Sequence, residues 1–180
     1  GADDYTQITN TDRYGFDYKV CMCNKCGILY VNPRMTEDSY KKFYRDDYRG
    51  IYGTGNVVML YGVPQTAKVI KDHIYQMIQD YELDMPKVVY EIGCGNGELL
   101  SEFKNDCKTL GVDYDESFIK KGNHKNILYG GIEELEKTGE KADLIIMNQV
   151  LEHMLDLKDT LLRVRELLNE NGVLYVTVPG

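Results

Sequence analysis

The sequence lacks any run near the roughly 20 consecutive apolar residues that a membrane-spanning helix needs, and no apolar segment opens it as a secretory leader would. These absences predict a cytoplasmic protein without a membrane partner. Basic residues are short too: 21 Lys and Arg face 29 Asp and Glu, a formal charge of −8. No broad positive surface is available to neutralise phosphates, so bulk nucleic-acid binding is excluded as an expectation. Histidine occurs only three times, and His73 and His124 stand alone in sequence as surface or helix residues. The five cysteines are an odd set with three crowded between Cys21 and Cys26, which suits metal ligation better than a secreted disulfide framework.

What is present suits a folded chain. Hydrophobic residues make up 43% of 180 and charged residues 28%, enough to bury one main core. Three segments are expected: a Cys-rich, ribbon-like piece over 1–35, a helical piece over 36–85 and an α/β domain over 86–180. In the second, Thr36 caps a helix on which Tyr40, Tyr44, Tyr48 and Tyr52 recur at four-residue spacing, followed by Gly50, Gly53, Gly55 and Gly62. From Pro64 an amphipathic helix is predicted with Val69, Ile70, Ile74, Met77, Ile78 and Tyr81 on its apolar side. After residue 86, β-branched runs alternate with helical patterns, the signature of βαβ units around a parallel sheet. Strands are expected at 88–92, 109–113, 126–130, 142–148 and 172–178, with helices starting near Gly97, Asp115 and Leu157. Five strands are few for a closed fold, and a chain that starts Gly1-Ala2 without Met and stops at Pro179-Gly180 reads as a fragment lacking the last strands.

The strand VVYEI runs into Gly93-Cys94-Gly95-Asn96-Gly97 and then into a helix. Glycine lets the backbone turn at positive φ and lets a ligand approach closely. A dinucleotide fingerprint would place a third glycine where Glu98 stands, which argues against NAD. Asp113 ends the next strand 20 residues after Gly93, where a carboxylate can accept from both hydroxyls of an adenosyl ribose. Cys94 reads as a small packing residue, and Cys107 has no assigned role.

Taken together, Glu91 before the glycine motif, GVDYDESFI (111–119), ADLIIMNQVLEH (142–153) and LLRVRELLNENGVLYVTVP (161–179) resemble the class I, Rossmann-like methyltransferases over roughly residues 86–180. The resemblance implies S-adenosylmethionine as cofactor. Gly93, Cys94, Gly95 and Gly97 would line the methionine moiety, with Glu91 organising water or the amino group. Asp113 would hold the ribose and Tyr114 would flank adenine. Family members often carry an acid after the third strand; Gly131 stands at that place here, leaving adenine to the Ile132 backbone and to Glu133. Asn148 and Gln149 would lie beside the sulfonium. His153 is the candidate general base, set against a pocket-lining role. A Glu-x-x-Glu-His metal motif is broken by Gln149, so no catalytic metal is expected. The stretch 23–44, CNKCGILYVNPRMTEDSYKKFY, resembles the end of an N-terminal zinc ribbon seen before some bacterial methyltransferase domains, with Cys21, Cys23 and Cys26 as metal candidates. The tyrosine stripe reads as a packed helix face or, on that resemblance, as a mobile cap hinged at the glycines after Tyr52.

The expected function is methyl transfer to a small-molecule acceptor, with a sugar favoured. Two alternatives stand beside it: a non-catalytic cofactor-binding fragment or scaffold, and a nicotinamide oxidoreductase.

Overall fold

A computed structural model describes residues 4–12, 15–47, 64–121 and 126–179. Tyr48, Tyr52, the glycines at 50, 53, 55 and 62, and His124 lie outside these described residues. The chain divides into two units, Gly1–Tyr40 and Lys41–Gly180.

The first unit holds a three-stranded antiparallel sheet of β1 (Tyr5–Thr11), β2 (Asp17–Cys23) and β3 (Leu29–Val31), in that order. Tyr5 pairs with Cys23 and Val20 with Val31. In β2 the side chains of Cys21 and Cys23 fall on one face, two residues apart, and both are buried, whereas Ile8, Phe16, Tyr18, Ile28 and Leu29 are exposed. Beyond β3, α1 (Glu37–Lys42) passes into a π-helical turn, Phe43–Asp47. Thr36 is its cap as expected: the hydroxyl accepts from the Ser39 amide, and the Thr36 carbonyl accepts from the Tyr40 amide.

The second unit is an α/β sandwich. Its helices and strands are α2 (Pro64–Asp80), β4 (Val88–Ile92), α3 (Glu98–Phe103), β5 (Lys108–Asp113), α4 (Glu116–Lys121), β6 (Ile127–Tyr129), α5 (Ile132–Glu136), β7 (Ala142–Asn148), α6 (Leu157–Leu167) and β8 (Leu168–Thr177). The five strands are all parallel in the order β6-β5-β4-β7-β8. Strand period sorts the core into two layers. Val89, Leu144 and Ile146 face α2 and α3, packing with Ala67, Ile74, Ile78, Leu100 and Phe103. Tyr90, Ile145 and Met147 face the other way, onto Ile132 and Leu135 of α5 and Val164 and Leu167 of α6.

Two expectations change here. The helix α2, grouped above with a cap over 36–85, is a core helix of the sheet. Its buried stripe is Ala67, Ile74 and Ile78, while Val69, Met77 and Tyr81 are exposed. The five-residue α5 was not anticipated, being too short to show a helical period.

Cys107 also acquires a place. Its thiol donates to the Pro86 carbonyl at 3.1 Å and meets the Tyr75 hydroxyl at 3.7 Å. Lys71 reaches Asp106 at 2.6 Å and the Glu102 carbonyl at 2.7 Å, fastening α2 to the entry of β5 and holding the Asp106 carboxyl below its usual range. Burial pushes the Cys107 thiol up, making it a poor nucleophile. His73, on α2, lies edge-on to Tyr175 of β8 at 6.3 Å.

Candidate functional site

The strand order reverses between β4 and β7, so their following loops diverge and leave a crevice at the carboxyl ends of the strands. The expected cofactor residues of β4, β5, β6 and β7 all fall on this edge of the sheet.

The glycine turn is tied to β5 twice over. The amides of Gly93 and Cys94 donate to the Val112 carbonyl at 2.8 and 3.1 Å. The Asp113 carboxylate accepts from the Gly95 amide at 2.8 Å through one oxygen and from the Asp115 amide at 2.7 Å through the other. Asp113 is therefore more than a ribose candidate: it shapes the turn. Gly93, Gly95 and Gly97 all have positive φ, at 70°, 55° and 75°. At Gly93 the requirement is steric as well, since a Cβ would sit 2.4 Å from Cγ2 of Val150 in the loop after β7. Cys94 is buried, and burial pushes its thiol well above the usual range. Its Sγ lies 2.6 Å from where a Cβ on Gly111 would stand, so Cys94 packs the turn onto β5, as the sequence suggested.

Glu91 is 4% exposed at the end of β4, and its Oε2 has no hydrogen-bond partner among the described residues. Burial, and then the charge of Asp113, push its carboxyl well above the usual range; the Leu100 backbone amide opposes this in part. A buried oxygen without a donor costs free energy unless a ligand or water supplies one. Glu98, the first residue of α3, has a second such oxygen: Asn96 donates to its Oε1 at 2.9 Å, while Oε2 is buried and unpartnered. The sequence used Glu98 only to argue against a dinucleotide; its place directly after the turn was the signal for a role.

On the β6 side, Glu133 Oε1 accepts from the Gly131 amide at 2.9 Å and from the Tyr114 hydroxyl at 3.0 Å. Ile132 points its side chain into the core, leaving only its backbone to a ligand. On the β7 side, Asn148 and Gln149 are anchored to β8. Thr177 donates to the Asn148 side chain and accepts from Gln149 Nε2, while the Gln149 amide donates to the Thr177 carbonyl at 2.9 Å. Gln149 has φ 58°, a left-handed residue that turns the chain across the strand ends. The 3-10 turn Leu151–His153 follows. His153 is 40% exposed, with Nε2 at 3.7 Å from Glu152 Oε1. Burial lowers its pKa, an effect that Glu152 partly opposes, so the imidazole is neutral near pH 7.

Among the described residues no group of three or more His, Cys, Asp or Glu could hold a metal ion. Cys21, Cys23 and Cys26 are thus not gathered into a three-ligand cluster: Cys21 is fully buried within β2, whereas Cys26 is exposed on the turn after it. Nor is any helix among the described residues long and apolar enough to cross a membrane.

A family model described as a methyltransferase domain matches residues 67–180, well over half the chain. The chain belongs to that family. The match begins within α2, in keeping with that helix's place in the core. A tRNA U34 carboxymethyltransferase from Aliarcobacter butzleri is 31% identical over 112 residues, 57% of this chain and 37% of that protein. A ubiquinone biosynthesis O-methyltransferase from Azorhizobium caulinodans is 32% identical over 99 residues, 49% of this chain and 39% of that one. Among solved structures, the plantazolicin methyltransferase BpumL in complex with SAH superposes with a TM-score of 0.61 at 20% identity, covering 76% of this chain and 55% of its own. An S-adenosylmethionine-dependent methyltransferase from Clostridium acetobutylicum gives 0.56 at 19% identity, covering 73% and 57%. At such identities the two structures establish the shared fold. This methyltransferase domain spans under two fifths of the curated relatives and somewhat over half of the solved chains.

Proposed function

We propose that the crevice binds S-adenosylmethionine and that the domain transfers its methyl group to a small-molecule acceptor. The observation that carries this is the pairing of a left-handed glycine turn, held by Asp113, with a buried Glu91 oxygen that has no donor among the described residues. An adenosyl amino acid has hydroxyls for Asp113 and an ammonium group for Glu91, whereas a pyrophosphate would meet the Glu98 carboxylate. The SAH in the BpumL structure supports the same ligand class.

Bound there, S-adenosylmethionine supplies an electrophilic methyl group on a sulfonium. The residues of this chain position and deprotonate. Asp113 accepts from the ribose hydroxyls. The Gly93–Gly97 turn brings backbone close to the ligand, and Glu91 accepts from its amino end. The Asn148 and Gln149 carbonyls line the opposite wall. His153, neutral near pH 7, takes the proton of an acceptor hydroxyl at a ring nitrogen, leaving the oxygen lone pair free to attack.

The acceptor is read as a small molecule because a net charge of −8 disfavours a polyanion. The relatives are named for tRNA, ubiquinone and plantazolicin, which gives the sugar expectation no support. In the N-terminal unit, Cys23 and Cys26 have the shape of one zinc knuckle, and this is the part of the zinc-ribbon reading that we retain. Backbone amides of Cys26 and Lys25 lower the Cys23 thiol below its usual range, as thiolate ligation requires, and Gly27 turns the chain at φ 74°. Two thiolates are half of a structural zinc site.

Titration calorimetry with S-adenosylmethionine, S-adenosylhomocysteine and NAD tests the binding. The first two should bind and NAD should not compete; competition by NAD at comparable concentration would restore the dinucleotide alternative. Once an acceptor is known, His153→Asn should lower turnover about 10²-fold with cofactor affinity intact. Full turnover with an unaltered pH profile would remove the base role.

A further inference from the structure

Among the described residues two that are not glycine have positive φ, Glu82 at 52° and Gln149 at 58°. Glu82 is explained by its place. It ends α2 with a pair of bonds, from the Glu82 amide to the Gln79 carbonyl and from the Leu83 amide to the Ile78 carbonyl, the usual left-handed stop of a helix. Gln149 ends no helix. It follows β7 and leads into the 3-10 turn Leu151–His153. A residue with a Cβ holds this conformation at a cost in free energy, and keeps it only where its surroundings impose it. Thr177 imposes it here. We propose that Thr177 is a positioning residue for the base: by latching the left-handed backbone of Gln149 through both its carbonyl and its hydroxyl, it fixes where His153 stands. The inference rests on the reading of His153 as the base.

The latch has a direction. The Thr177 carbonyl accepts from the Gln149 backbone amide at 2.9 Å, and the Thr177 hydroxyl accepts from Gln149 Nε2 at 3.4 Å. The same hydroxyl donates to the side chain of Asn148, its register partner on β7. Its single proton is thus committed to Asn148, and a lone pair is left for the Gln149 amide. From Gln149 the effect runs along a short, closed piece of chain. The His153 amide donates to the Val150 carbonyl at 2.9 Å and the Met154 amide to the Leu151 carbonyl at 3.1 Å, so the turn moves with the residue that starts it. Val150, next after Gln149, fills the space that a Cβ on Gly93 would enter. A Gln149 released into the ordinary right-handed or extended region would redirect the chain at that point and carry Val150 and His153 away from where they stand.

The test is proton NMR of the full chain without ligand, following the His153 imidazole, which comparison with His153→Asn assigns. Burial holds its titration midpoint below the ordinary imidazole value, with the Glu152 carboxylate beside it opposing in part. Thr177→Val keeps the branched shape and removes the hydroxyl; Thr177→Ser does the reverse. The latch predicts a midpoint that rises towards its ordinary value in Thr177→Val, as the loosened turn exposes the ring, and one that stays at the wild-type value in Thr177→Ser. The opposite pattern, which a packing role for the methyl group would give, overturns the inference, as does no change in either variant. Gln149→Ala gives an independent readout if Thr177→Val does not fold: it removes the amide that the hydroxyl holds and leaves a Cβ at positive φ, so it too should raise the midpoint. An unchanged midpoint there overturns the inference. The double variant should move the midpoint no further than Thr177→Val alone, and additive shifts would mean that the hydroxyl acts elsewhere. None of these readouts needs cofactor or acceptor, so failure of the latch leaves the site reading standing. Loss of the base role shows separately, as full turnover in His153→Asn, and would overturn that reading and this inference with it.

Discussion

The two walls of the crevice are built on different terms. On the β4–β5 wall the glycine turn is bound by three hydrogen bonds, from Gly93 and Cys94 to the Val112 carbonyl and from Gly95 to the Asp113 carboxylate, which Asp115 also holds. Its supporting residues Tyr90, Leu100 and Val112 are fully buried. On the β7 wall, Asn148 and Gln149 hang on Thr177 of the edge strand β8, and His153 stands 40% exposed on a single 3-10 turn. A shared ligand requires a wall whose shape is fixed by the core, and a particular acceptor requires one that can vary without unfolding it. Between the loops at the two strand ends, Gly93 leaves room for Val150.

Filling that room should give the largest effect. Gly93→Ala puts a Cβ at positive φ and against Val150, at a cost in stability of about 2–4 kcal/mol. Val150→Ala in the same chain should recover the crowding part but not the backbone part. Urea unfolding of the single and double variants reads this out, and a Gly93→Ala protein as stable as wild type would show that Val150 does not fill that room. Next in size, Asp113→Ala should weaken S-adenosylhomocysteine binding by about 1.5–3 kcal/mol, because it removes a ligand contact and releases the Gly95 and Asp115 amides. Unchanged affinity would take Asp113 out of the site.

The smallest effect sharpens the account of the rigid wall. The folded-state pKa of Glu91 is raised above its ordinary 4.5, so the folded protein keeps a proton that the unfolded chain has lost. Below about pH 4.5 the group is neutral in both states and costs nothing; as pH rises towards the folded value, stability is lost. Glu91→Gln should therefore match wild type in melting temperature near pH 4 and exceed it increasingly towards pH 8. Parallel curves would mean that Glu91 has a donor after all.

Much of this was legible in the sequence because the glycine spacing and Asp113 are local signals with direct backbone consequences. The β4 and β7 boundaries follow from runs such as VVYEI and ADLIIMN, buried on both faces and bounded by turns. The sequence does not show which oxygen lacks a partner, so Glu98 passed as a mere argument against NAD. It does not show that Glu133 accepts from the Gly131 amide and the Tyr114 hydroxyl, since Tyr114 comes from the end of a different strand. Nor does apolar spacing reveal that Ala67, rather than Val69, faces the sheet. Cys21, Cys23 and Cys26 are crowded in sequence, but strand geometry buries Cys21 and Cys23 and leaves Cys26 exposed.

The central claim is that one ligand sits at the carboxyl edge of the parallel sheet, across the glycine turn and the end of β5. Amide hydrogen exchange with and without S-adenosylhomocysteine tests it most directly. The account predicts slowed exchange in residues 93–98, 113–115 and 131–133, with residues 5–31 unchanged. Protection absent from the first two segments, or appearing instead in 5–31, would contradict it.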